Sequence, residues 1–268
     1  FDCDKVVEAT YQTLNQFPDR ELIGEDVISC GSIDKIYLSS HRILSTGTHI
    51  GDGIYGKPTG KKVIYRVIAD CLVKDNKVIE EWIIRDEKSI LNQLGIQTYD
   101  YVKQKILEGV YKKSDINLIK NCFKIENKIS PCKSKNNNRY KNYFLEIIKD
   151  QSKVYHLYER SAQLYWIGGE VIYTLDHIFE KWKLFLSCFN ISKCEISNSI
   201  LLNQPNMRQR ASLRWRLICK HSQNGIFGMP TNKDVEIFGI SHAEFGKNGI
   251  VREFILIDEI SIWKQILL

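Results

Sequence analysis

The sequence predicts an α+β chain built as two tandem cone-shaped domains, each a curved antiparallel sheet wrapped around helices. Three observations predict it. The chain repeats itself at an offset of 172: over 40–94 against 212–266, 19 of 55 positions are identical, where chance gives about 6%. Within each copy a helical spacing is followed by long runs that alternate with period two. The balance is globular, with 43% hydrophobic and 26% charged residues among 268, which excludes a disordered tail, a collagen-like repeat or a disulfide mini-protein. No stretch approaches the ~20 continuous apolar residues of a membrane helix, so a soluble, cytoplasmic protein without a membrane partner is expected.

Residues 4–16 read as a helix through Val6, Val7, Ala9, Thr10 and Leu14, and 176–189 repeat it through Ile178, Phe179, Trp182, Leu186 and Phe189. Strand-like runs follow at 25–30, 35–46, 62–73 and 77–86. The last two join at Lys74-Asp75-Asn76-Lys77, a hairpin turn; the second copy turns at Gly246-Lys-Asn-Gly249, where the glycines suit positive φ. A short helix over 87–94 closes the first copy. Residues 101–123 read as a helix pair, with Ser114-Asp115 as an N-cap between its halves. That pair is expected either to lie beside the first sheet or to be a plain linker. Ahead of the second copy, 141–149 and 152–163 read as two short helices.

The boundaries follow. Residues 1–96 form the first domain, 97–140 a helical connector and 141–268 the second domain. Residue 1 aligns with Tyr173, so the first domain is expected to lack leading helices that the second has. The second is therefore expected to hold the better-formed cavity.

The net charge of +6, from 38 Lys+Arg and 32 Asp+Glu, is mild. The dense basic run at 133–141 reads as a solvated loop, and no nucleic-acid partner is expected. Eight cysteines occur without CxxC or paired His/Cys spacing, which argues against a metal site. At this length they are expected to be reduced thiols.

The string His49-Ile-Gly-Asp-Gly-Ile-Tyr-Gly56-Lys-Pro58-Thr59-Gly60-Lys, then a hairpin, then Glu81-Trp82-Ile-Ile-Arg-Asp86 and Leu91-Asn-Gln93-Leu94-Gly95, resembles the SnoaL-like polyketide cyclases. These belong to the nuclear-transport-factor-two-like superfamily, which also contains ketosteroid isomerase. The resemblance is strong over 40–96 and fair over 141–268. It implies acid/base chemistry without a cofactor, such as aldol-type cyclisation or isomerisation of a small carbonyl compound in an apolar pocket. The same fold also hosts non-catalytic modules that bind a small molecule or a protein.

Candidate site residues follow from the motif and from strand alternation. Asp86 and Asp258 end the last strand of each copy. Period two places Trp82 with Asp86, and Phe254 with Asp258, on one face. If that face is the concave one, burial raises the carboxyl pKa toward that of a neutral-pH proton shuttle. Asp also caps helices, and Ser89 and Ser261 sit three residues on; the two roles are compatible. Asp70 and His242, at equivalent positions on the preceding strand, are the expected partners of the two shuttles. His49 and His221 precede the glycine loops and are assigned either to the pocket mouth or to a hydrogen bond holding the loop. No metal and no organic cofactor is implied. The expected partners are an apolar small molecule and a face-to-face arrangement of the two domains, or of two chains.

Overall fold

The computed structural model describes residues 3–32, 35–122, 131–132 and 138–268. Helix α1 (Cys3–Gln16) leads into four antiparallel strands: β1 (Glu21–Ser32), β2 (Ile36–Thr48), β3 (Lys62–Lys74) and β4 (Lys77–Arg85). These form one sheet in sequence order. The β3–β4 turn places Asp75 and Asn76 at φ 50° and 57°, the left-handed pair that a two-residue hairpin requires. Helix α2 (Glu87–Leu94) follows, ended by Gly95 at φ 85°.

The connector holds α3 (Thr98–Leu107) and α4 (Lys113–Cys122). Helix α3 packs on α2 and on the last helix of the chain, and α4 on that last helix, so the pair joins the copies instead of lying on the first sheet. Phe123 and residues 133–137 of the basic run lie outside the described residues.

The second copy begins with α5 (Arg139–Lys149), a 3-10 turn (Gln151–Lys153) and α6 (Val154–Leu157). The helix expected over 152–163 stops there. Residues 158–166 are strand β5, because Tyr158 and Gln163–Tyr165 pair in parallel with the strand of residues 250–257. Strand β6 (Glu170–Tyr173) and helix α7 (Leu175–Leu186) follow. Then come β7 (Phe189–Leu202), β8 (Gln209–His221), β9 (Asp234–Phe245), β10 (Ile250–Ile257) and α8 (Glu259–Leu267). The six-stranded order is β6-β5-β10-β9-β8-β7.

Gly246 and Gly249 are not among the positive-φ glycines. They are needed for close approach: a Cβ would lie 2.2 Å from Glu159 Oε1 at Gly246 and 2.4 Å from the Leu157 carbonyl oxygen at Gly249.

The inside of the second cone is filled. Trp182 and Trp215 are both 0% exposed, and Phe144 lies between them with ring centres 5.9 Å and 5.0 Å away. Trp166, Phe185 and Phe189 extend this cluster. The expectation of a roomy second cone is thus corrected: large aromatic side chains occupy the volume. In the first copy α1 is mostly exposed, and only Thr13, Gln16 and Phe17 at its end are buried.

The thiol expectation is corrected as well. Cys30 of β1 and Cys132 of the connector form a disulfide with Cα atoms 5.5 Å apart, set among Ile28, Leu38, Leu72 and Ile200. Cys71, Cys188, Cys194 and Cys219 are free. Among the described residues no helix is long and apolar enough to cross a membrane, and no cluster of three or more metal-ligating side chains occurs.

Candidate functional site

Strand register builds two matching rows. Ser40, Asp70 and Trp82 are direct neighbours across β2, β3 and β4. Ser212, His242 and Phe254 are direct neighbours across β8, β9 and β10. The rows face each other. Arg42 stacks on Phe254, 3.6 Å from the ring centre, and its counterpart Arg214 stacks on Trp82 at 4.9 Å. Trp82 meets Phe238 at 5.4 Å. Trp82, Asp70, Phe254 and His242 therefore point at the opposite sheet, and not into a cone as the concave-face reading expected. Period two shows which residues share a face; it is silent on which face curves inward.

At the centre, a hydrogen-bonded chain crosses between sheets. Ser40 Oγ donates to Asp70 Oδ1 at 2.5 Å and lies 2.7 Å from His242 Nε2. Arg42 Nη1 lies 3.5 Å from His242 Nδ1. A guanidinium only donates, so Nδ1 is the acceptor and Nε2–H donates to Ser40. Burial, reinforced by Arg42, holds His242 well below the usual histidine range, so the ring is neutral. Burial also raises the Asp70 carboxyl, opposed by Arg214 and by hydrogen bonds from Ser40 and Asn198. All three side chains are at most 1% exposed. Asp70 and His242 are thus joined to each other through Ser40, and not to Asp86 and Asp258.

Asp86 and Asp258 both cap helices. Asp86 Oδ1 accepts from Ser89 N at 3.0 Å, and Asp258 Oδ1 from Ser261 N at 2.9 Å. Asp86 also reaches across to the β5–β6 turn, where the Gly168 and Gly169 backbone N–H groups donate to it at 2.8–3.1 Å. Burial pushes its carboxyl up to about 6, against the pull of those three donors. Burial raises the Asp258 carboxyl too, opposed by the Ser261 N–H and by Lys264.

A cavity of about 380 Å³ opens beside Asp86, between the copies. Arg66, Tyr165, Phe254, Leu44 and Leu256 line it with the Gly168-Gly169 turn. Tyr165 and Phe254 stack with ring centres 4.3 Å apart. Arg66 lies over Tyr165 and gives its Nε and Nη2 to Glu25, both at 2.9 Å. Of the eight predicted site residues, Asp86 and Phe254 line this cavity.

His49 and His221 are both 0% exposed. Each faces a threonine of its own loop, Nδ1 to Thr59 Oγ1 and to Thr231 Oγ1, both at 3.2 Å. Their backbone carbonyls accept from Gly60 and Asn232 across the same turns. They fasten the glycine loops, the second of the two assignments made for them.

Sequence reasoning missed Glu253. It points inward from β10, is 0% exposed, and accepts from Tyr140 Oη at 2.7 Å and from Tyr158 Oη. Burial pushes it up to about 7, against the two phenol bonds. The available signal was a carboxylate within the apolar run Ile250–Ile257, aligned with Glu81 of the first copy.

No protein-family model matches the chain, and no curated protein matches it. Among solved structures, a SnoaL-like polyketide cyclase of Agrobacterium tumefaciens is 16% identical at a TM-score of 0.35, covering 47% of this chain and 93% of that one. A candidate SnoaL-like polyketide cyclase of Jannaschia sp. is 7% identical at 0.40, covering 47% and 89%. IdmH of Streptomyces antibioticus, a candidate polyketide cyclase, is 12% identical at 0.40, covering 49% and 100%. Structures described as polyketide cyclases or candidate polyketide cyclases, some of them SnoaL-like, thus recur among the structural neighbours of this α+β chain, each matching about half of it.

Proposed function

We propose that the chain performs cofactor-independent acid/base chemistry on a small carbonyl compound in the cavity between its two sheets. Asp86 is the proton shuttle. It takes a proton from the carbon next to the carbonyl and returns it to another position. That step is shared by enolisation, isomerisation and aldol-type ring closure. The observation that carries this reading is a carboxyl with a pKa of about 6 in the wall of a mostly apolar cavity. Such a group is half ionised at about pH 6 and is mostly the free base at neutrality while still able to hold a proton, the condition for efficient general acid/base work.

A carboxylate offers about four lone-pair positions, and three N–H groups make four contacts with Asp86, two on each oxygen, with the Gly168 N–H shared between both. The travelling proton takes Oδ2 by displacing one arm of that shared bond, which keeps its other arm on Oδ1. Arg66 spends Nε and Nη2 on Glu25, and its other N–H groups suit the oxygen of an enolate. The Tyr165–Phe254 stack is the apolar wall. Asp258, which lines neither this cavity nor the groove beside α8, is kept as a structural cap.

The test is deuterium exchange from solvent into the α-carbon of a panel of small ketones, followed by NMR. Asp86→Asn keeps an oxygen for the Ser89 cap and removes the base. The exchange rate is expected to fall by about 10²-fold or more. In the parent it should rise with pH through about 6, as Asp86 loses its proton. An Asp86→Asn protein that stays folded and exchanges at the parental rate ends this reading.

A further inference from the structure

We propose that the cone of the first copy is a docking surface for a partner polypeptide that presents an amphipathic helix followed by a strand. Positions that form the core of the second copy lie open in the first. Ile178 of α7 is 0% exposed, and its counterpart Val6 of α1 is 47% exposed. Ile255 of β10 is 0% exposed, and its counterpart Ile83 of β4 is 51% exposed. Val7 and Tyr11 of α1 are exposed too. Helix α3 closes the glycine-loop end of this cone, where Tyr101 stacks on Tyr55. The part walled by the first half of α1 and by β4 stays open.

The second copy shows what covers such a face. Helix α5 buries Tyr140, Phe144, Ile147 and Ile148, α7 packs on α6, β5 and β6, and β5 adds in parallel to the outer side of β10. In the first copy β4, the counterpart of β10, is the edge strand of its sheet. A free strand edge beside an apolar face is what strand addition and helix docking use. The lining states the chemistry of the occupant. Glu253 takes hydroxyl hydrogen bonds from Tyr140 and Tyr158. Its counterpart Glu81 is exposed, with the Cys71 thiol at 3.5 Å, so the arriving segment must bring a donor such as a phenol. Trp182, Phe185 and Trp215 have Thr10, Thr13 and Ile43 as counterparts, so the arriving helix must also carry large aromatic side chains to fill the space. A second copy of this chain cannot spare its own α5, whose Tyr140, Phe144 and Ile147 are 0% exposed within their own core.

The probe is a fluorescein-labelled synthetic peptide with the sequence of residues 139–166, the helix-and-strand segment of this chain. It is titrated into the full chain and followed by fluorescence anisotropy, and hydrogen–deuterium exchange read by mass spectrometry locates it. The expected result is one saturable site per chain, with exchange slowed in α1 and β4. A peptide carrying Phe144→Ser and Ile147→Ser should bind at least about tenfold more weakly. Ile83→Asp in the chain, at an exposed position, should weaken binding as much, because docking would bury its charge. Met229→Ser, exposed on the glycine loop of the second copy, should bind the peptide as the parent does. Four outcomes overturn the proposal: no saturable binding, parental affinity in Ile83→Asp, exchange changed in the second copy alone, or a chain that sediments as a dimer with β4 already protected, which would make a second copy the occupant.

Discussion

Glu253 sits in the second cone with only protein around it, and its proton responds to pH. An unfolded glutamate titrates near 4.5, and the folded one holds its proton up to about 7. Between those values the folded state binds more proton than the unfolded state, so stability falls as pH rises. Below about 4.5 both states are protonated; above about 7 neither is. The whole loss is about 3 kcal/mol. Glu253→Gln keeps an oxygen acceptor for Tyr140 and Tyr158 and cannot ionise. Its stability relative to the parent, from urea titrations at a series of pH values, is expected to rise between pH 4.5 and 7 and then level off. A difference independent of pH would contradict the assignment. This residue shows what could not be read from the string. Its two phenols stand 113 and 95 positions away, on a helix and a strand whose meeting is a tertiary event.

Among the elements, the legible ones carry their signals locally. Helix α2 is bounded by Asp86, which accepts from Ser89 N, and by Gly95 in the left-handed region; both marks can be read in the sequence. The β3–β4 turn is marked by Asp75-Asn76 in the same way. Strand β5 was not legible. Its Val154–Tyr158 neighbourhood has helical spacing, and its strand character comes from pairing with β10, some 90 residues on in the chain. The Cys30–Cys132 link, at a separation of 102 residues, is illegible for the same reason. It ties the first sheet to the segment leading into α5. Closing a loop of that length is expected to contribute at most about 5 kcal/mol. Dithiothreitol, or Cys30→Ser without reductant, should lower the urea midpoint, and the two shifts should be equal to each other. If the reductant still destabilises Cys30→Ser, the effect lies elsewhere.

For the whole molecule, the two copies meet about a pseudo-two-fold axis. Arg42 on Phe254 is mirrored by Arg214 on Trp82, and Ile28 shares one buried cluster with its own counterpart Ile200. One apolar core runs through both copies and α3, so the chain is expected to unfold as a unit. Ser40→Ala leaves His242 Nε2–H and Asp70 facing each other without the hydroxyl between them. The expected cost is about 1–3 kcal/mol, with tryptophan fluorescence and far-UV ellipticity still changing together. Separated transitions would mean that the copies part before they melt. An interface made by two identical chains must present the same residue on both sides of its axis. At this central position that would set aspartate against aspartate or histidine against histidine, two like groups that can bond only if one of them takes a different proton state from its twin. Joining the halves in one polypeptide removes that obligation. An acceptor can stand on one side and a donor on the other, and the asymmetry that a self-matching pair forbids becomes the bond at the centre of the molecule.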